Sequence, residues 1–322
     1  MDQRADTADR ASTSPIVVVG GEALIDLVID PRGGVIAKQG GGPFNTARTI
    51  ARLGINSRFV GSMSDDRFGT LMQAQLRVDG VDTSLLRHST RPTTLAAAEI
   101  DEGGAAQYRF YFEGTSAPDF PLYERPTLTA IDAFHIGTLG LVFEPMATTY
   151  EAMLSEIDPE VLVVLDPNCR PRANGERPAY LERVARVMRR ADVVKVSTDD
   201  LDYLDPERSH LDAARRLLEA GPAVVLVTAG GDTATVVSRV GEAEVPVPRV
   251  KVADTIGAGD SFGGGFTAWW VGNGLGLSEL SDLDLLTQAT RAGVTVAART
   301  CERPGADPPH RHELPADWAQ RC

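Results

Sequence analysis

From residue 130 onward the chain alternates short, continuously apolar runs with stretches of helical character, and few folds accommodate that rhythm. The apolar runs fall at 133–136, 161–165, 193–196 and 224–227, with helical stretches between them at 145–156, 178–190 and 211–220. A strand that is apolar at every position has both faces covered, and strands joined through helices run parallel. The predicted class is α/β, with a doubly wound, mostly parallel sheet. Earlier in the chain, 16–19 reads as a strand ending in Gly20-Gly21, and 24–29 as a second strand stopped by Asp30-Pro31. A helix is expected over 45–53, closed by Gly54, then a short strand at 58–61 and a helix over 67–78 ended by Gly80. Segments 235–237 and 245–250 look antiparallel, and helices at 258–272 and 283–299 close the domain.

Residues 94–113 break the rhythm. Two strands flank the turn Asp101-Glu102-Gly103-Gly104, and Tyr108, Phe110 and Phe112 alternate with Arg109, Tyr111 and Glu113. A two-stranded ribbon with an aromatic face needs something to cover it. Residues 1–14 form a mixed-charge polar segment expected to be disordered, 15–315 the domain, and 316–322 a C-terminal tail.

At 322 residues the chain can bury a core without disulfides or metal. A net charge of −13 argues against sequence-independent nucleic-acid binding, which needs a basic surface. No run approaches the ~20 apolar residues of a membrane span, and the first residues lack the apolar core of a signal peptide. Cys169, Cys301 and Cys322 are widely spaced with no metal pattern, so a reducing cytoplasm is the expected compartment. Of Lys38, Lys195 and Lys251, none follows a glycine loop as G-K-[S/T], so a Walker-type phosphate loop is excluded.

The segment richest in chemistry is Asp254-Thr255-Ile256-Gly257-Ala258-Gly259-Asp260-Ser261-Phe262, which opens a helix. Gly257 and Gly259 allow a tight turn that aims peptide N–H groups outward at a helix N-terminus, an anion site by geometry and dipole. Asp260 inside it is either a stabilising first-turn acid or a general base beside an oxyanion-type cradle. A dinucleotide fingerprint would need glycine where Phe262 stands, so an oxidoreductase is disfavoured.

This segment resembles the signature D-T-x-G-A-G-D-x-F of the ribokinase-like (PfkB-type) carbohydrate kinases. Gly40-Gly41-Gly42-Pro43-Phe44-Asn45-Thr46-Ala47 resembles the same family's N-terminal signature. The resemblance implies an ATP-dependent kinase with a small β-sheet lid, built from segments about 27–42 and 93–117. It implies Asp260 as base, Gly257, Ala258 and Gly259 as the anion hole, and Arg170 of Asp166-Pro167-Asn168-Cys169-Arg170 as support for the transferred charge. Asp26, Gly41, Gly42 and Asn45 would hold the sugar, with Tyr108 and Phe110 of the lid closing over it. Ser197, Thr228, Gly230, Gly257 and Gly259 would serve ATP, although Thr233 replaces a family glycine. Asp200, where the family carries glutamate, would meet Mg²⁺ through water, and Asp254 with the closing turn Arg303-Pro304-Gly305-Ala306 would adjoin a monovalent cation such as K⁺.

Each assignment has a structural competitor. Asp26 can cap a turn, Asn45 can be a helix N-cap, and Arg170 can be a surface ion-pair partner. Asp166 orients its loop or helps hold metal-bound water, and Ser197 with Asp200 can form a capping box. The start Gly-Glu-Ala-Leu-Ile-Asp and the lid look most like fructokinases. The 2-keto-3-deoxygluconate kinases are the nearest rival, depending on which way Arg109 faces, and ribokinase and nucleoside kinases follow. A non-catalytic sugar sensor on the same fold is the reading from another class. The exposed aromatic ribbon suggests a homodimer through the lid.

Overall fold

The computed structural model of the chain describes residues 14–101 and 106–321. The expected disordered start and the hairpin turn at 102–105 fall outside those residues, save Ser14. Strands and helices follow in chain order. The first half holds β1 (Ile16–Gly20), β2 (Leu24–Ile29), β3 (Val35–Gly40), α1 (Gly42–Arg52), β4 (Asn56–Ser64), α2 (Arg67–Val78), β5 (Leu86–Ser89), β6 (Leu95–Ile100) and β7 (Ala106–Tyr111). The alternating part holds β8 (Ala133–Gly137), α3 (Met146–Glu156), β9 (Leu162–Asp166), α4 (Arg177–Met188), β10 (Val193–Ser197), α5 (Thr198–Leu204), α6 (His210–Glu219) and β11 (Val224–Thr228). The chain closes with β12 (Thr233–Ser238), β13 (Gly241–Pro246), α7 (Ala258–Gly272) and α8 (Leu283–Cys301).

The nine-stranded sheet runs β13-β12-β11-β10-β9-β8-β1-β4-β5. Its pairs are parallel except β11–β12 and β12–β13, which are antiparallel, so β12 runs against its neighbours. Side-chain parity puts Val17, Val19, Leu162, Val164, Val193 and Leu226 against α1, α2, α7 and α8. Val18, Val163, Leu165, Val194, Val196 and Val225 face α3 to α6. Both faces are dry, as continuous apolar strands require. The same parity turns Asp166 of β9 and Lys195 of β10 toward the α7 face.

A second, four-stranded sheet, β3-β2-β6-β7, projects as the lid, with β2 parallel to β6 and antiparallel hairpins at either side. On β7, Tyr108 and Phe110 stack 6.4 Å apart, while Arg109 points the other way, 3.5 Å from Glu99.

Three expected boundaries move. α1 starts at Gly42 rather than at 45, because Pro43 is at home in a first helical turn. The strand expected over 245–250 lies instead at Gly241–Pro246, and it stops there since Pro246 and Pro248 cannot donate to a ladder. The expected tail at 316–322 is anchored: Trp318 is buried, and its indole N–H donates to the Ala292 carbonyl at 3.1 Å. Among the described residues no helix is long and apolar enough to cross a membrane.

Candidate active site

The chain leaves β1 toward β4 and β5, and leaves β8 toward β9, β10 and β11 in the opposite direction. The neighbouring strands β1 and β8 therefore form a switch point, where the crevice at the carboxyl edge of an open α/β sheet binds ligands. A cavity of about 320 Å³ opens there, with the lid on its other wall.

Asp260 forms the cavity floor. It is the third residue of α7, whose cap is Gly257 in the left-handed region at φ 78°. A Cβ on Gly257 would also lie 2.6 Å from that of Ala306 in the closing turn. No side-chain oxygen caps this helix start; Ala258 N donates to the Thr255 carbonyl at 3.2 Å, and among the described residues Gly257 N and Gly259 N have no acceptor, which leaves them for an outside one. Asn45 Nδ2 donates to Asp260 Oδ2 at 2.8 Å. Burial pushes the Asp260 carboxyl up to about 6, against the Asn45 hydrogen bond; Asp166 adds to the rise, and Lys195 and Arg170 oppose it. Asp260 is thus both a first-turn acid and a cavity-facing carboxyl poised to take a proton.

Gly257 and Gly259 line the same space, with Ala258 between them. Lys195 Nζ lies beneath Gly259, 2.9 Å from where a Cβ would stand. This buried lysine pairs with Asp166 at 3.1 Å. Burial alone would lower its pKa, but Asp166, then Asp200, outweigh it and hold it charged. Asp166 is therefore a buried counter-ion.

On the opposite wall, Asp26 of β2 faces the cavity with Tyr108 and Phe110. It lies within a strand and caps no turn. Burial pushes it up to about 6, with Arg170 and then Lys38 pulling back. Arg170 reaches the cavity, its Nη1 donates to the Cys169 carbonyl, and among the described residues it makes no ion pair of the kind the surface-pair reading expects. Gly41 and Gly42 complete this wall. A Cβ on Gly42 would stand 2.6 Å from Thr138 Oγ1 and 3.2 Å from Asp260 Oδ1, so only glycine lets that backbone approach the Asp260 carboxyl. Asn45 lies inside α1 and is not its N-cap; its buried Oδ1 has no partner, an acceptor left for a ligand.

Other expected site residues stand apart from the cavity. Ser197 and Thr228 are register partners at the ends of β10 and β11. Gly230 lies in the exposed turn before β12, at φ 58°. Ser197 and Asp200 form the complete capping box of α5. Asp200 is buried, its Oδ2 accepting from Ser197 N and Oγ at 2.7 Å and its Oδ1 from Cys169 N at 2.6 Å. The capping-box reading therefore accounts for this pair. Asp254 accepts from Ile256 N at 3.1 Å, Gly305 N at 2.8 Å and Lys38 Nζ at 3.5 Å. Burial works to raise it, but those donors outweigh burial and hold it low.

Sequence reasoning missed Glu22, Thr138, Asn168 and Lys195, all on the cavity wall. Lys195 left a trace as the one charge in an otherwise apolar strand, V-V-K-V. Thr138 and Asn168 hold positive φ, 58° and 41°, a strain of roughly 1–3 kcal/mol each that clusters at functional sites. No local signal marks Thr138, whereas Asn168 stands within the segment Asp166-Pro167-Asn168-Cys169-Arg170 that the sequence singles out. Glu22 is buried; burial pushes it up to about 8, against hydrogen bonds from its own backbone and from Gly42 and Gly140, while Asp260 adds to the rise.

The profile of the pfkB family carbohydrate kinases matches residues 16–312. A fructokinase from Rhizobium leguminosarum bv. trifolii is 33% identical over 95% of both chains. Among solved structures, a fructokinase with bound ATP from Xylella fastidiosa superposes with a TM-score of 0.84 at 26% identity, covering 93% of this chain and 95% of the other. A double mutant of a Vibrio cholerae O395 fructokinase, with fructose, ADP and potassium ion bound, gives 0.82 at 25% identity, covering 92% and 95%.

Proposed function

This chain belongs to the pfkB family of carbohydrate kinases, and from that premise we propose that it phosphorylates fructose with ATP through the cavity at the β1–β8 switch point. Asp260 takes the proton of the acceptor hydroxyl. The hydroxyl oxygen then bonds to the γ-phosphorus as the bond from that phosphorus to the bridging oxygen of ADP breaks. The N–H groups of Gly257 and Gly259 hold the charge of the transferred group, Ala258 N being tied to the Thr255 carbonyl, and Arg170 supports it from the mouth. Asp26, Gly41, Gly42 and Asn45 receive the sugar, and Tyr108 and Phe110 cover it. Thr228 and Gly230 border the nucleotide along the same sheet edge, while the Ser197 hydroxyl is spent on the cap of α5.

The observation carrying this reading is a half-buried, cavity-facing carboxyl at a helix start with no side-chain cap. A non-catalytic sensor would have no need of either. The keto-acid alternative loses support because Arg109 pairs with Glu99 on the far side of the lid. The Rhizobium and Vibrio relatives named for fructose support the neutral sugar.

Among the described residues no group of three or more His, Cys, Asp or Glu is arranged to hold a metal. Mg²⁺ is therefore proposed only as the companion of the ATP phosphates, with no protein cage. K⁺ is proposed beside Asp254, where Lys38 is its competitor. Homodimerisation through the lid is proposed from the exposed Val35, Ile36 and Tyr111, with sedimentation as its test.

A coupled assay of ADP release with fructose, ribose, 2-keto-3-deoxygluconate and adenosine decides the acceptor. Fructose is expected to give the highest kcat/KM. A higher value for another acceptor overturns the fructose assignment, and no sugar-dependent release on the whole panel supports the sensor.

A further inference from the structure

Glu22 follows the Gly20-Gly21 end of β1 and is 1% exposed. Its two carboxyl oxygens reach across the switch point in different directions. Oε1 accepts from Gly42 N, the first residue of α1, at 3.1 Å, and Oε2 accepts from Gly140 N, in the turn after β8, at 3.1 Å. One side chain thereby joins the segments that leave β1 and β8 to the start of α1.

Those segments carry the acceptor side of the cavity. Gly42 packs against Thr138 and Asp260, and Asn45, one turn along α1, donates to Asp260. Thr138, two residues before Gly140, is held at positive φ. Glu22 makes no hydrogen bond to Gly257, Gly259 or Arg170, the groups assigned to phosphate. Its influence therefore falls on one substrate and spares the other.

We propose that Glu22 is a positioning residue for the sugar: its carboxyl clamps Gly42 to Gly140 and so fixes the Gly41–Gly42 turn and Thr138 at the distance from Asp260 that the acceptor hydroxyl requires. The proposal rests on the acceptor side of the cavity being the sugar site. Glu22→Gln is the direct test, because it keeps the shape but turns an NH₂ group toward one of the two N–H donors. With whichever sugar the full-length enzyme turns over, KM for sugar is expected to rise about tenfold, the scale of one such hydrogen bond, with KM for ATP unchanged. Gly140→Ala probes the other end, since its Cβ would stand 3.2 Å from Gly21 Cα and displace that turn. It is expected to move the same constant in the same direction, and it keeps the test open if Glu22→Gln fails to fold. The clamp is overturned if these variants raise both KM values together, or lower the melting temperature while both KM values stay put. Use of a different sugar in the panel changes the acceptor assignment and leaves this ratio to be read on its own.

Discussion

α5 and α7 each carry an aspartate as the third residue of the helix, yet the two starts are opposite in chemistry. At α5, Ser197 caps the helix and Asp200 returns the bond, so the polar groups of the turn satisfy one another. At α7, Gly257 caps with backbone alone, and Asp260 turns to the cavity, to Asn45. The two acids are near enough that both act on Lys195. An acid at a helix start is therefore not informative by itself. What separates a structural acid from a reactive one is whether a side chain at the cap position engages the turn from within. Glycine at that position leaves the turn open to an anion.

The sharpest way to break this contrast is to neutralise each acid. Asp260→Asn is expected to lower kcat by a factor on the order of 10²–10⁴, the range of a lost general base, with sugar binding largely retained. Asp200→Asn should leave kcat within a few-fold and lower the melting temperature, because a buried acceptor set is lost. Steady-state kinetics beside a thermal melt read both. A folded Asp200→Asn enzyme with the larger loss in kcat would invert the assignment.

Acidification comes next in size. Burial raises Asp260 to about 6, so the base is ionised above that pH and protonated below it. kcat/KM is expected to fall about tenfold per pH unit as the pH drops below 6. Asp26 is likewise raised to about 6, so the limb should steepen toward two protons. Asp26→Asn should return it to one, and Asp200→Asn should not move it. A limb that follows Asp200 in a pH–rate profile would break the contrast.

Gly257→Ala acts on the open turn without touching a charge. At φ 78°, and with the Cβ of Ala306 2.6 Å away, the added methyl forces the cradle to shift. Strain of roughly 1–3 kcal/mol corresponds to about tenfold or more in turnover if the N–H groups misalign. An ATP titration together with kcat measures this, and wild-type values for both would show that the cradle holds no phosphate.

The sheet was legible because its signal is local: alternation of apolar runs and helices names strands, faces and direction without long-range information. The glycine-rich turns were legible as clusters of glycine, although the atoms that demand glycine there are distant in the chain: Thr138 and Asp260 at Gly42, and Ala306 at Gly257. The unread part is tertiary. Lys195 has meaning only opposite Asp166, 29 positions away, and Glu22 only between Gly42 and Gly140. The choice between capping and catalysis at Asp200 and Asp260 also lay beyond sequence, because D-x-x-type spacing is common to both and only partners separate them. The two prolines at 246 and 248 were a local signal overlooked, and Trp318 shows that a polar, Pro-rich end still docks through one large side chain.

Ser197→Ala has the smallest expected effect and tests the closed helix on its own terms. The hydroxyl accepts from Asp200 N at 3.1 Å and donates to Asp200 Oδ2 at 2.7 Å. Its loss opens an N–H at the start of α5 and withdraws one donor from a buried carboxylate. Removal of a serine cap lowers stability by about 0.5–2 kcal/mol, which a urea melt resolves as a shifted midpoint at constant slope. If the box is only a cap, kcat and both KM values stay near wild type. A rise in KM for ATP without loss of stability would mean that the hydroxyl reaches the nucleotide, and that α5 is less closed than its hydrogen bonds indicate. Both helix starts would then serve phosphate, and glycine at the cap would no longer be what divides them.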